Sequence, residues 1–115
     1  MKIGIYGGSF NPPHLGHMAA AESAAKYLKL DMLLLIPAGI PPHKALSADD
    51  PGKAHRLAMT RLMGEQIGQD TGIRVEVSDM EITREGKSYT ADTLRALRAQ
   101  YPDDGLWLLM GTDMF

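Results

Sequence analysis

The chain contains no cysteine. Disulfides and thiolate metal sites are thereby excluded together, and a reducing compartment is in keeping with this. An excess of one charge is also missing. Twelve Lys and Arg face 14 Asp and Glu, a formal net charge of −2, so composition supplies no general attraction for nucleic acid or an anionic membrane. No run of about 18 apolar residues occurs, so no membrane span is expected. The opening MKIGIYGG enters a strand-like pattern at once, without the apolar stretch and cleavage site of a secretory leader. Repeats and low-complexity tracts are absent. The expectation is a cytoplasmic protein with no membrane or nucleic-acid partner, and with a homo-oligomer left open. What is present is 115 residues, 44% hydrophobic and 23% charged, which is the make-up of one globular domain with one core.

Residues 2–6, KIGIY, form a β-prone run that ends at Gly7-Gly8. Residues 15–29 read as a helix, because Leu15, Met18, Ala21, Ala25 and Leu28 recur at spacings of three and four. MLLLI, 32–36, is a short continuous apolar run stopped by Pro37, as suits a strand covered on both faces. A loop rich in Pro, Gly and Ala follows, and Asp50-Pro51 looks like an N-cap with proline in the first turn. The next helix, roughly 51–68, sets Met59, Leu62, Met63 and Ile67 on one side. IRVEV, 73–77, alternates like a strand. Thr90 can cap a helix over 91–101 with Leu94, Leu97 and Tyr101 inward, and LWLLM, 106–110, is a fourth strand with Trp107 in the core. The order β-α-β-α-β-α-β predicts an α/β, Rossmann-like, doubly wound parallel sheet with helices on both faces. Such a sheet would continue into a helix after Met114-Phe115, so a single domain over 1–115 that is the N-terminal part of something longer is expected.

The stretch GGSFNPPHLGHM, residues 7–18, falls just after the first strand, where ligands of open parallel sheets bind. Its glycines let backbone N–H groups approach an anion, and the following helix presents its positive end to the same place. Ser9 adds a hydroxyl. His14 and His17 are three residues apart across the helix start and can face one point. Together these describe a polyphosphate cradle with two imidazoles. A dinucleotide loop does not fit the spacing of Gly4, Gly7, Gly8 and Gly16, and a P-loop needs the absent G-K-[ST]. A zinc site would need a third protein ligand, for which only His43 and His55 are available, and no metal ligand is assigned. A glycine turn carrying two surface histidines is the plain alternative.

GGSFNPPHLGH resembles the first signature of the HxGH nucleotidyltransferases, with Phe10, Pro12, His14, Gly16 and His17 in place. IPAGIPPHK (36–44), EITREGKSYTADTL (81–94) and LLMGTDMF (108–115) resemble, in order, further motifs of the bacterial nicotinate-nucleotide adenylyltransferase family. The resemblance implies adenylyl transfer from ATP to nicotinate mononucleotide, giving deamido-NAD and pyrophosphate, with Mg²⁺ accompanying ATP. It implies that His14 and His17 are catalytic at the ATP phosphates, and that Gly8, Ser9, Phe10, Gly111 and Asp113 line the ATP site. Lys44, Tyr89 and Thr90 would hold the mononucleotide. A solvated Lys44, a purely capping Thr90 and an Asp113 that caps a later helix are the structural alternatives. The family's later aromatic segment and its I-S-x-T-x-x-R type motif are not in these residues. A related enzyme acting on nicotinamide mononucleotide or phosphopantetheine, or a nucleotide-binding fragment without turnover, therefore stays open.

Overall fold

The first strand run and the apolar run MLLLI pair side by side and carry the core. The computed structural model describes residues 1–8, 10, 15–38, 53–83 and 90–109. In chain order these form β1 (Lys2–Gly8), α1 (Leu15–Leu28), β2 (Met32–Pro37), α2 (Lys53–Thr71), β3 (Arg74–Val77), α3 (Thr90–Gln100) and β4 (Gly105–Leu109). The strands make one parallel sheet in the order β3-β2-β1-β4. β1 pairs with β2 from Ile3 opposite Met32 to Gly8 opposite Pro37, two residues farther than the apolar run alone predicts. Ladder pairing carries the strand into its glycines.

Alternation along the strands separates two apolar layers. Tyr6, Leu33 and Leu35 face one way and meet Ala21 and Ala25 of α1 and Met63 and Ile67 of α2. Ile3, Ile5, Met32, Leu34 and Ile36 face the other way and meet Leu97 of α3. Covering on both faces is why β2 needs no polar residue. Full burial of Ile3, Leu33, Leu35 and Ile36 stabilises the fold by about 1.5–3 kcal/mol each. Gly64 lets α2 lie close to the sheet, since a Cβ there would meet side chains of Val75, Leu35 and Val77 at 3.3–3.4 Å. Gly72, at φ 75°, ends α2 and returns its N–H to Gly68 O at 2.9 Å.

Three expectations are corrected. Leu15 is 79% exposed. The buried positions of α1 are His17, Ala21 and Ala25, and Leu15 lies about 200° around the helix from His17. Leu62 is 66% exposed, because the inward stripe of α2 runs Arg56, Thr60, Met63, Ile67 and Leu62 sits about 100° off it. Trp107 is 43% exposed, not core. β4 is an edge strand among the described residues, with only β1 beside it, and the Trp107 ring lies beneath Lys2 Nζ at 5.4 Å. Asp50-Pro51 lies outside the described residues.

Candidate functional site

The strand order reverses at β1: β2 and β3 lie to one side of it and β4 to the other. Right-handed crossovers then put α1 and α2 on one face and α3 on the opposite face. Ligands of open parallel sheets bind beyond the carboxyl ends of the strands at such a reversal, here between β1 and β4. The residues described at this end are Gly8 and Phe10 after β1, the first turn of α1, Ala38 after β2, the first turn of α2 and the start of α3 at Thr90.

His17 stands in the first turn of α1 and is 7% exposed. Its ring meets the Phe10 ring edge-on, with centroids 5.0 Å apart at 83°, and the Tyr6 ring at 6.2 Å and 70°. Tyr6 and Phe10 complete the cluster at 5.5 Å. An imidazole wedged between two rings has a fixed orientation, as a group that must meet a reacting atom requires. The reading of two surface histidines therefore fails for His17. Phe10 is 0% exposed and holds φ at 45°, a left-handed value that bulky residues seldom adopt. Its side chain is an anchor, so anything it offers a ligand comes from its backbone. The strained residue sits two positions past Gly8, and backbone strain tends to gather at ligand sites.

Gly8, Phe10 and His17 come together at the carboxyl end of β1. Thr90 opens α3, consistent with the helix boundary the sequence predicts, and only its backbone is described. Ser9, His14, Lys44, Tyr89, Gly111 and Asp113 lie outside the described residues, as does His43. His55 is on the exposed face of α2, and among the described residues no group of three His, Cys, Asp or Glu is placed to hold a metal ion.

Two features escaped the motif reading. Arg56, in the first turn of α2, is 0% exposed and donates from Nη1 to Ala38 O at 2.7 Å. The signal was its place in the spacing 56, 60, 63, 67: an arginine in an inward stripe. Thr93, 3% exposed, donates from Oγ1 to Glu81 Oε2 at 2.7 Å, tying the start of α3 to the turn after β3. Thr93 and Glu81 both lie inside EITREGKSYTADTL, where neither is assigned a role by the resemblance.

A family model described as cytidylyltransferase-like matches residues 5–115. The chain belongs to that family. Curated relatives of this cytidylyltransferase-like chain include a protein from Citrifermentans bemidjiense named "Probable nicotinate-nucleotide adenylyltransferase", 46% identical over 115 residues, which is 100% of this chain and 50% of that protein. A protein of the same name from Shouchella clausii is 41% identical over 114 residues, 98% of this chain and 56% of its own length. The chain thus spans about half the length of the curated relatives it matches. Among solved structures, Plasmodium falciparum nicotinic acid mononucleotide adenylyltransferase complexed with NaAD superposes with a TM-score of 0.73 at 19% identity, covering 93% of this chain and 50% of that one. That likeness concerns the cytidylyltransferase-like fold alone.

Proposed function

We propose that these residues form the half of a nicotinate-nucleotide adenylyltransferase that carries the HxGH site, working on MgATP and nicotinate mononucleotide in the cytoplasm. The observation that carries the reading is His17, buried and held edge-on by Phe10 at the first turn of α1, where the strand order reverses. The names of relatives 41–46% identical along the whole chain support it. No described helix is long and apolar enough to cross a membrane.

In the proposed reaction a phosphate oxygen of the mononucleotide attacks the α-phosphorus of ATP. The new O–Pα bond forms as the bond from Pα to the bridging oxygen breaks, and pyrophosphate leaves with that electron pair. No covalent intermediate with the protein is needed, so the work is alignment and charge stabilisation. Backbone N–H groups of Gly8 to Phe10 and the N-terminus of α1 receive the phosphates, with Ser9, Gly111 and Asp113 completing the ATP site. His17, with His14, donates to the oxygens of the transferring phosphate. Lys44 meets the mononucleotide phosphate as a point charge. Tyr89 and Thr90, at the start of α3, receive the nicotinate carboxylate, since helix N-terminal N–H groups suit an anion and give the acid its advantage over the amide. Mg²⁺ enters with ATP as part of the substrate, held by phosphate oxygens and water.

The test is pyrophosphate release by the full-length protein from MgATP with nicotinate mononucleotide, nicotinamide mononucleotide or phosphopantetheine. Release with the first, and a fall in kcat of about 10²–10³ in His17→Ala with the fold retained by circular dichroism, is expected. No release with any acceptor would sink the reading. Preference for phosphopantetheine would move the chain to a neighbouring activity of the same fold.

A further inference from the structure

The geometry points to Arg56 as a positioning residue that couples the two loops ascribed above to ATP and to the mononucleotide, by fixing the peptide of Ala38 and through it that of Gly8. The ligand half of this inference rests on the proposed function; the coupling itself rests on three bonds. Arg56 Nη1 donates to Ala38 O at 2.7 Å. Ala38 N donates to Gly8 O at 2.8 Å. Thr60 Oγ1 donates to Arg56 O at 2.8 Å, one turn along α2.

The ladder explains why Ala38 matters. Gly8 lies opposite Pro37 at the end of the β1–β2 pairing. In a parallel pair the residue opposite Pro37 bonds to its neighbours, so the Ala38 amide is the donor that meets Gly8 O, and the missing N–H of Pro37 falls on the β3 side, where Leu35 O takes Ser78 N. Ala38 is therefore the residue at which the β1–β2 ladder closes. Its N–H side holds the residue preceding Ser9 and the glycine-rich loop. Its chain continues directly into residues 39–52, which contain Lys44. Arg56 holds the peptide that follows Ala38 and Gly8 O holds the peptide that precedes it, so the two bonds together restrain both backbone torsions of Ala38, the residue from which 39–52 leave.

The choice of residue supports the inference. The inward stripe of α2 is otherwise Thr60, Met63 and Ile67, and a fully buried guanidinium carries a desolvation penalty that an aliphatic chain would avoid. The bond from Nη1 to Ala38 O is what the buried guanidinium is seen to hold. At 0% exposure it is not placed to touch a ligand itself, which separates positioning from binding. A lysine keeps the charge and one donor, but not the planar fork.

The experiment uses the full-length protein as wild type, Arg56→Lys, Arg56→Met and Lys44→Ala. The first readout needs no ligand: hydrogen exchange of the Ala38 amide, with the amides of Asp31 and Gly105 at the other end of the sheet as controls. The second is steady-state kinetics with MgATP and nicotinate mononucleotide varied in turn. Arg56→Met is expected to speed Ala38 exchange by about tenfold or more without affecting the controls. It should raise KM for both substrates together, with Arg56→Lys intermediate, whereas Lys44→Ala should raise KM for the mononucleotide alone. A merely stabilising Arg56 would lower the melting temperature and leave both KM values unchanged well below it. Unchanged Ala38 exchange in a folded Arg56→Met, or a rise confined to one substrate, would overturn the coupling. If the wild type transfers no adenylyl group, the function proposed above falls and takes the ligand half with it, while the exchange readout still decides whether Arg56 governs the two strand ends. Should Arg56→Met not fold, Arg56→Lys carries both readouts.

Discussion

The two ends of the sheet are held by different chemistry. At the amino end the bonds are short and run mostly along the surface. Lys2 N donates to Asp31 Oδ2 at 2.7 Å, Asp31 N returns to Lys2 O at 2.8 Å, and Lys2 Nζ reaches Leu28 O at 2.8 Å. Gly105 N donates to Met1 O at 2.9 Å, and Arg98 Nη1 to Asp104 O at 2.8 Å. At the carboxyl end three groups are buried: Arg56 at 0%, Phe10 at 0% with a left-handed φ, His17 at 7%. Exposed bonds contribute little each and are easily replaced by water. Buried polar groups and strained backbone cost free energy, and persist where their surroundings fix them for a purpose. One end closes the sheet; the other is arranged for a ligand.

The largest effect that could break this contrast is Phe10→Ala. Removing a fully buried ring should destabilise by about 3–5 kcal/mol in denaturant unfolding. It also frees the edge of the His17 imidazole, so kcat should fall in molecules that remain folded. Phe10→Leu keeps most of the volume but not the ring edge, and should retain most of the stability while still lowering kcat. Full activity in folded Phe10→Leu would mean that the aromatic cluster serves packing alone.

Thr93→Val comes next. It deletes the donor to Glu81, a hydrogen bond to a carboxylate worth about 1.5–3 kcal/mol. Residues 84–89 lie between the two partners, so KM for the mononucleotide should rise more than KM for ATP. The contrast with Arg56, where both should rise, separates the two kinds of support at the carboxyl end. Equal rises in Thr93→Val would blur them.

Asp31→Ala is the matched probe of the amino end. It removes the acceptor for Lys2 N in a partly solvated setting, and the expected loss is about 0.5–1 kcal/mol with kinetic constants unchanged. A change in KM from so distant a site would show that the two ends are not independent.

These contrasts also mark what could be read from the residues. All seven elements and their order follow from patterning, because each strand run is short and either apolar or, in IRVEV, alternating, and each helix repeats at three and four. His17 was legible through its motif, since glycines, a strand end and a helix start define a place as well as a pattern. Its burial was not, because that depends on Tyr6 and Phe10 arriving from β1 and the residue beyond it. Arg56 was passed over for the opposite reason: an arginine reads as a surface residue, and its place in the inward spacing 56, 60, 63, 67 gains meaning once Ala38 O is seen beside it. Trp107 misled because an apolar run does not reveal whether its strand has one neighbour or two.

The smallest effect lies between the two ends, where α1 and α2 pack. Glu22 has its Oε1 out of solvent, and its carboxyl is raised above the ordinary 4.5 by a side-chain hydrogen bond with Asp70, then by desolvation, then by the charge of Asp70, with Lys26 pulling weakly the other way. Gln66 Nε2 donates to Asp70 Oδ1 at 2.9 Å. A carboxyl raised in the folded state holds a proton that the unfolded chain has released. Stability therefore rises as pH falls through the raised value toward the ordinary one, and is lower above it. Glu22→Gln keeps the donor without the charge. It should stabilise the protein most at neutral pH, and its advantage should fade as the pH is lowered toward the ordinary carboxyl range, as read from denaturant midpoints across that window. Because the substitution touches neither end of the sheet, both KM values should stay where they are. A loss of stability at neutral pH would mean that the Glu22 charge is held by Lys26 rather than opposed by Asp70.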